Sequence, residues 1–166
     1  MPPPRLLDNA WRTFDTTIRA NVYLRRLLIL AWHLIGVYAA YAAAFLLRFD
    51  GAVPPTYQLI FWYTLPVVIV IYLASFGFFH LYSGFWSFFS IDEAVRMGLA
   101  LIAATIAVAL VIFPLRLLLP GGYPRSTMIV TPMLMGLWMA SARLGFRYWR
   151  RWRSEEHTSE LQSPYV

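Results

Sequence analysis

Four long stretches of this chain carry almost no charge, and polar or turn-forming clusters separate them. Residues 27–47 are interrupted only by His33 and Gly36, and residues 59–81 carry Pro66 near their start. Residues 97–113 are uncharged and lie between Arg96 and Pro114, while residues 126–146 hold Arg143 in their last turn. About 20 helical residues, at roughly 1.5 Å each, cross the ~30 Å hydrocarbon core of a bilayer. The third stretch is the shortest. Residues 115–119 extend it at one end, and Arg96 can snorkel at the other. The pattern predicts an all-α, polytopic membrane protein with four transmembrane helices, at about 27–47, 59–81, 95–118 and 126–146. Ala42-Ala43-Ala44 has the look of a signal-peptide cleavage site, but the apolar run continues past it, so a span is preferred.

Residues 1–26 form a distinct N-terminal segment. At 100° per residue, Leu7, Trp11, Phe14, Ile18 and Val22 share one face. Asp8, Arg12, Asp15, Arg19 and Arg26 share the other, with Asp8/Arg12 and Asp15/Arg19 as acid-first i,i+4 pairs. This predicts an amphipathic helix lying in the cytoplasmic interface, with Trp11 and Phe14 as anchors. Residues 27–153 form the membrane domain. Residues 154–166 lose all apolar periodicity and are expected to be a disordered, non-native tail, with the string read as a translated sequencing-adaptor artefact. The reading frame is then expected to have been cut near Arg153, which makes the chain a fragment.

Composition sharpens this picture. Sixty per cent of the 166 residues are hydrophobic and only 13% are charged, against about 25% charged in soluble domains, which excludes a water-soluble globule and a disordered chain. No cysteine is present, so disulfides, thiolate metal sites and Cys nucleophiles are excluded. The basic side is arginine alone, 14 of them. Arginines crowd before the first span and after the fourth, which predicts that both termini are cytoplasmic and that the span number is even.

Small residues spaced by four, at Gly36, Ala40 and Ala44 and again at Gly136 and Ala140, predict close helix packing. The same faces could instead serve a homo-oligomer. His33 alone among ionisable groups lies well inside a span, and a hydrogen-bonded packing role is preferred over proton relay. Arg48 and Asp50 are expected to form an ion pair or cap beyond the first span. Residues 76–89 hold eight aromatics, including Trp86, and read as an interfacial belt, with a groove for a lipid tail as the sharper option. Ser90 to Glu93 read as the N-cap and acidic first turn of the third helix. Arg143, Arg147, Arg150 and Arg151, interleaved with aromatics, are expected to anchor to anionic lipid headgroups, not to nucleic acid. No P-loop, GxGxxG or HExxH is present, and Gly121-Gly122 sits in a proline-bounded turn with no strand before it. No catalytic, cofactor-binding or metal-ligating residue is predicted.

Several segments, in order, resemble the N-terminal membrane region of the membrane-bound nucleotide-sugar dehydratase/epimerase family (polysaccharide biosynthesis protein, CapD-like). They are residues 43–51 (AAFLLRFDG) with Pro54, residues 76–86 (FGFFHLYSGFW) ending in Ser90-Ile91-Asp92-Glu93, Pro124-Arg125-Ser126, and residues 142–147 (ARLGFR). The family tends to have basic residues near the aromatic turn, where this chain has Ser83 and Ser87. The resemblance implies a bacterial inner-membrane anchor near polyprenyl-phosphate glycan machinery. It also implies an NAD(P)-dependent parent enzyme acting on UDP-sugars. The family's Rossmann-type catalytic region has no counterpart in this sequence, so this chain itself is expected to be non-catalytic and to hold no cofactor. Two alternatives stand beside it: the membrane domain of a polyprenyl-phosphate sugar-phosphate transferase, and a stand-alone scaffold or transport protein.

Overall fold

A computed structural model describes residues 22–82, 91–115 and 122–161 of the chain. Four helices account for nearly all of them: α1 (Val22–Arg48), α2 (Pro55–Phe78), α3 (Ile91–Leu115) and α4 (Arg125–Leu161). Each contains a stretch long and apolar enough to cross a membrane, at Arg26–Arg48, Pro55–Phe78, Ile91–Pro114 and Arg125–Gly145. In hydrocarbon no water can satisfy a backbone N–H or C=O, so apolar runs of this length become continuous helices. Pro55 opens α2 at a position where its missing N–H costs nothing. Pro66, Pro114 and Pro132 lie within helices, as membrane helices tolerate.

The helices form a ring. α1 packs on α2 and α4, and α3 packs on α2 and α4, while the diagonal pairs make no close backbone approach among the described residues. The chain runs up and down, so α1 starts and α4 leaves at one end, called here the terminal end. The α1–α2 and α3–α4 connections lie at the opposite, distal end.

Each helix turns one stripe inward. On α2 it is Ile60, Thr64, Val68, Tyr72 and Phe76, and on α3 it is Met97, Ala100, Ala104, Val108 and Ile112. On α4 it is Thr127, Thr131, Met135 and Met139. Spacings of three and four keep these positions on one side of a 3.6-residue helix. The other faces expose Trp, Val, Ile, Leu and Phe, as at Trp62, Val70, Ile106, Leu110 and Phe113. A protein that is apolar outside as well as inside is built for lipid. Across the α2–α3 seam, Ser75 Oγ donates to the Ala100 carbonyl at 2.8 Å.

Two helices end in the same way. Beyond α2, Leu81 N–H bonds to Phe76 O and His80 N–H to Gly77 O, both at 3.0 Å, with His80 at φ +56°. Beyond α1, Gly51 N–H bonds to Leu46 O at 2.8 Å, with Asp50 at φ +50° and Gly51 at φ +84°. These left-handed stops satisfy carbonyls that the last turn leaves open. No ion pair joins Arg48 to Asp50 among the described residues. Asp50 serves as the turn residue, so of the two roles expected for this pair the cap is the one seen. His and Asp enter this region more readily than most residues, and β-branched residues do so poorly. Asp50→Val is therefore expected to lower stability by about 1 kcal/mol while Asp50→Gly does not, read by thermal unfolding in detergent.

α1 is helical from Val22, the first described residue of the chain, and its membrane-length stretch begins at Arg26, as expected. One boundary differs from those read in the sequence. α4 continues to Leu161, so residues 154–161 are helical where a disordered tail was expected. The apolar pattern does end near residue 146. A helix already formed, however, extends without a new nucleation cost, and Glu155, Glu156, Glu160 and Leu161 are good helix formers. The interfacial helix over residues 5–21 lies outside the described residues.

Candidate functional site

Polar chemistry inside the bundle gathers at two levels. Near the terminal end, His33 is buried in α1, and its Nδ1 donates to Ile29 O at 2.7 Å, one turn back. Its ring lies 5.4 Å from those of Phe76 and Tyr82, edge-on to the latter. Tyr82 Oη donates to Leu73 O at 2.7 Å. Burial pushes the Tyr82 hydroxyl up to about 12, so it keeps its proton and remains a donor. His33 is thus a packing residue with its hydrogen bond made locally.

Arg143 departs from expectation. Its Nη1 lies 3.0 Å from Glu93 Oε1, with the side chains only 14% and 17% exposed. The contact is charge on charge more than a well-directed hydrogen bond, because Nη1 finds no acceptor at good angles. Arg143 therefore does not reach for headgroups. Glu93, in the first turn of α3, sits at the same depth as the last apolar turn of α4, and the nearest countercharge is inside the bundle. His33, Glu93, Arg143 and Trp32 border a cavity of about 20 Å³. That holds one water and no sugar or nucleotide. The arrangement ties α3 to α4 beside α1; it has no room for a substrate.

The small residues vary in what they do. A Cβ on Gly36 would meet Trp138 Cδ1 and Nε1 at 2.5 Å. The Trp138 ring covers α1 at this point and stacks on Trp32 with centroids 4.6 Å apart. Ala40 and Ala44 are buried, at 4% and 1% exposure. Gly136 is looser, since its Cβ would reach only Leu101 Cδ1 at 3.4 Å. Ala140 is half-buried.

In the distal half, Tyr41 Oη and Thr64 Oγ1 lie 2.6 Å apart, and Tyr123 Oη donates to Tyr41 Oη at 3.1 Å. Thr64 also donates to Ile60 O at 2.6 Å. Around this chain of hydroxyls, Tyr41 stacks on Phe61, and Phe45 meets Phe61 and Tyr123 edge-on. The α3–α4 connection is thereby pinned into the core by Tyr123, whose hydroxyl pKa burial raises. Sequence reasoning passed over this network. An aromatic residue between the prolines of a turn, at Pro120-Gly-Gly-Tyr-Pro124, was its one available signal.

The aromatic stretch divides. Phe76 is core and Phe78 is 79% exposed, so the described part of the stretch faces two ways. Trp11, Phe14 and Trp86 lie outside the described residues. Arg147, Arg150 and Arg151 stand on α4 beyond the span, where only the backbone is described. Among the described residues no three His, Asp or Glu side chains converge as metal ligands. Among the described residues the only regular elements are the four helices. No family model, curated protein or solved structure matches this chain.

Proposed function

We propose that this chain is the membrane-anchoring domain of a nucleotide-sugar (UDP-sugar) dehydratase or epimerase of bacterial polysaccharide or glycan biosynthesis. The observation that supports it is where the family-like segments fall. They are the joints of the bundle. Residues 46–51 stop α1 and residues 76–81 stop α2. Asp92 and Glu93 open α3, Arg125 and Ser126 open α4, and Arg143 pairs with Glu93. Apolar positions within spans can be exchanged freely for one another. Joints cannot, because they set where each helix stops and which neighbour it meets. Likeness concentrated at joints therefore speaks for a shared helical arrangement rather than for shared hydrophobicity.

In this reading the domain lies in the bacterial inner membrane with both termini cytoplasmic, held by arginines at anionic headgroups. The chemistry belongs to a separate nucleotide-binding domain that carries NAD(P). The bundle contributes locality: a tether raises the concentration of an enzyme near polyprenyl-phosphate glycan carriers without any new contact. Calorimetry on the purified chain tests the division of labour. It should show no saturable NAD(P) binding and no heat from UDP-sugars, and saturable NAD(P) binding would contradict it. The genomic reading frame downstream of Arg153 tests the family. A glycine-rich strand–turn–helix agrees with the reading. A membrane-embedded hairpin with a basic stretch would point to a sugar-phosphate transferase instead, and an immediate stop to a stand-alone protein.

A further inference from the structure

The distal end carries a second cavity that neither the packing nor the anchoring role uses. It measures about 410 Å³ and opens outward between the α1–α2 connection and the start of α4. Arg48, Phe49 and Tyr57 border it on one side, and Tyr123, Arg125 and Ser126 on the other. Arg48 and Arg125 stand 77 positions apart in the chain, in two of the family-like segments, yet they line one hollow.

The lining has cations without anions. No Asp or Glu borders the cavity, and neither arginine has an ion-pair partner among the described residues. Asp50, the nearest acid in sequence to Arg48, adopts the left-handed turn conformation that ends α1 and does not line the hollow. Ser126 Oγ is shut off from solvent and has no hydrogen-bond partner. The cavity also lies at the N-terminal end of α4, where backbone amides carry partial positive charge. The floor is aromatic: Phe49 and Tyr57 pack at 4.5 Å between ring centroids.

We propose that this cavity is a binding site for a phosphate group. Two guanidinium forks on opposite sides of the hollow present charge-assisted donors that the several oxygens of one phosphate can take at once. Arg48 ends one candidate span and Arg125 begins another, and the ends of helices that cross a bilayer lie at headgroup depth. A phospholipid headgroup can bring the phosphate from the bilayer, and a soluble phosphate compound can bring it from water. Both would use the same two arginines.

Native mass spectrometry of the full chain in detergent reads the site directly. The probes are phosphatidylglycerol, phosphatidylcholine and inorganic pyrophosphate. The variants are Arg48→Gln, Arg125→Gln and the double substitution. Arg96→Gln, at the terminal end, is the control, and circular dichroism confirms that each variant keeps its helices. A lipid site predicts that each single substitution weakens the tightest phosphatidylglycerol binding about fivefold, that the double weakens it roughly 25-fold, and that Arg96→Gln leaves it unchanged. A soluble-phosphate site predicts the same losses for pyrophosphate, with lipid binding equal in all variants. Either result supports the phosphate site and identifies its source. If folded double variant and wild type bind every probe equally, or if Arg96→Gln does as much damage as the double, the proposal is wrong.

Discussion

Replacing Gly36 by leucine is expected to break the contact between α1 and α4. The Trp138 side chain of α4 lies so close over α1 there that even a Cβ would lie 2.5 Å from its ring. Trp138 cannot easily retreat, because its ring also stacks on Trp32. In lipid nothing drives apolar helices together except fit, so loss of fit is not made good by hydrophobic burial. Overpacking of a filled core typically costs about 1–3 kcal/mol, and an overlap of ring and side chain at this distance belongs at or beyond the upper end. Gly36→Ala should already cost about 2 kcal/mol. Ala40→Leu, at a position 4% exposed, should follow closely. Gly136→Leu should be milder, because it meets only the movable end of Leu101. Leu28→Ala, at a residue 41% exposed, should change stability by less than about 1 kcal/mol. Thermal unfolding of the five proteins in one detergent gives the order, and equal midpoints for Gly36→Leu and Leu28→Ala would refute the close approach.

The second large effect lies at the ion pair. Glu93→Gln removes the countercharge of a guanidinium that is 14% exposed and sits beside Trp32, His33 and Met139. Stranding one member of a fully buried pair costs about 3–5 kcal/mol, and partial exposure here brings the expected loss to about 2 kcal/mol. Arg143→Met should cost less, because Glu93 at the open end of α3 can turn outward to water or to the helix N-terminus. With both charges removed, as in Glu93→Leu/Arg143→Met, most of the stability should return. The double-mutant cycle should therefore give a coupling of about 1–2 kcal/mol. Strict additivity would show that the 3.0 Å contact contributes nothing to the fold.

These two sites illustrate what could be read along the chain and what could not. The four spans and the small-residue face at Gly36, Ala40 and Ala44 follow from composition and spacing, both local properties of a single helix. His33 was also legible, because its hydrogen bond to Ile29 O is made within its own helix. Arg143 was not. Whether an arginine near a helix end reaches outward or inward depends on the register of the neighbouring helix, and Glu93 lies fifty positions away. Tyr123 escaped for a similar reason: its partner Tyr41 belongs to another helix, and Tyr41's own partner Thr64 to a third. The extension of α4 past residue 153 escaped because it follows from helix propagation and leaves no apolar pattern to detect.

Site-directed labelling tests the anchor account at its centre, which is a four-span domain with both chain ends on the cytoplasmic side. The chain has no cysteine, so every introduced thiol reports alone. Thr17→Cys, Thr56→Cys, Gly121→Cys and Arg153→Cys, each made singly, would be exposed to a membrane-impermeant maleimide in sealed right-side-out vesicles. The account predicts labelling at 56 and 121 in intact vesicles, and at 17 and 153 only after the membrane is opened. Labelling of 17 and 153 from opposite faces would contradict the even number of spans, and labelling of both from outside would contradict the cytoplasmic placement on which an enzyme anchor depends.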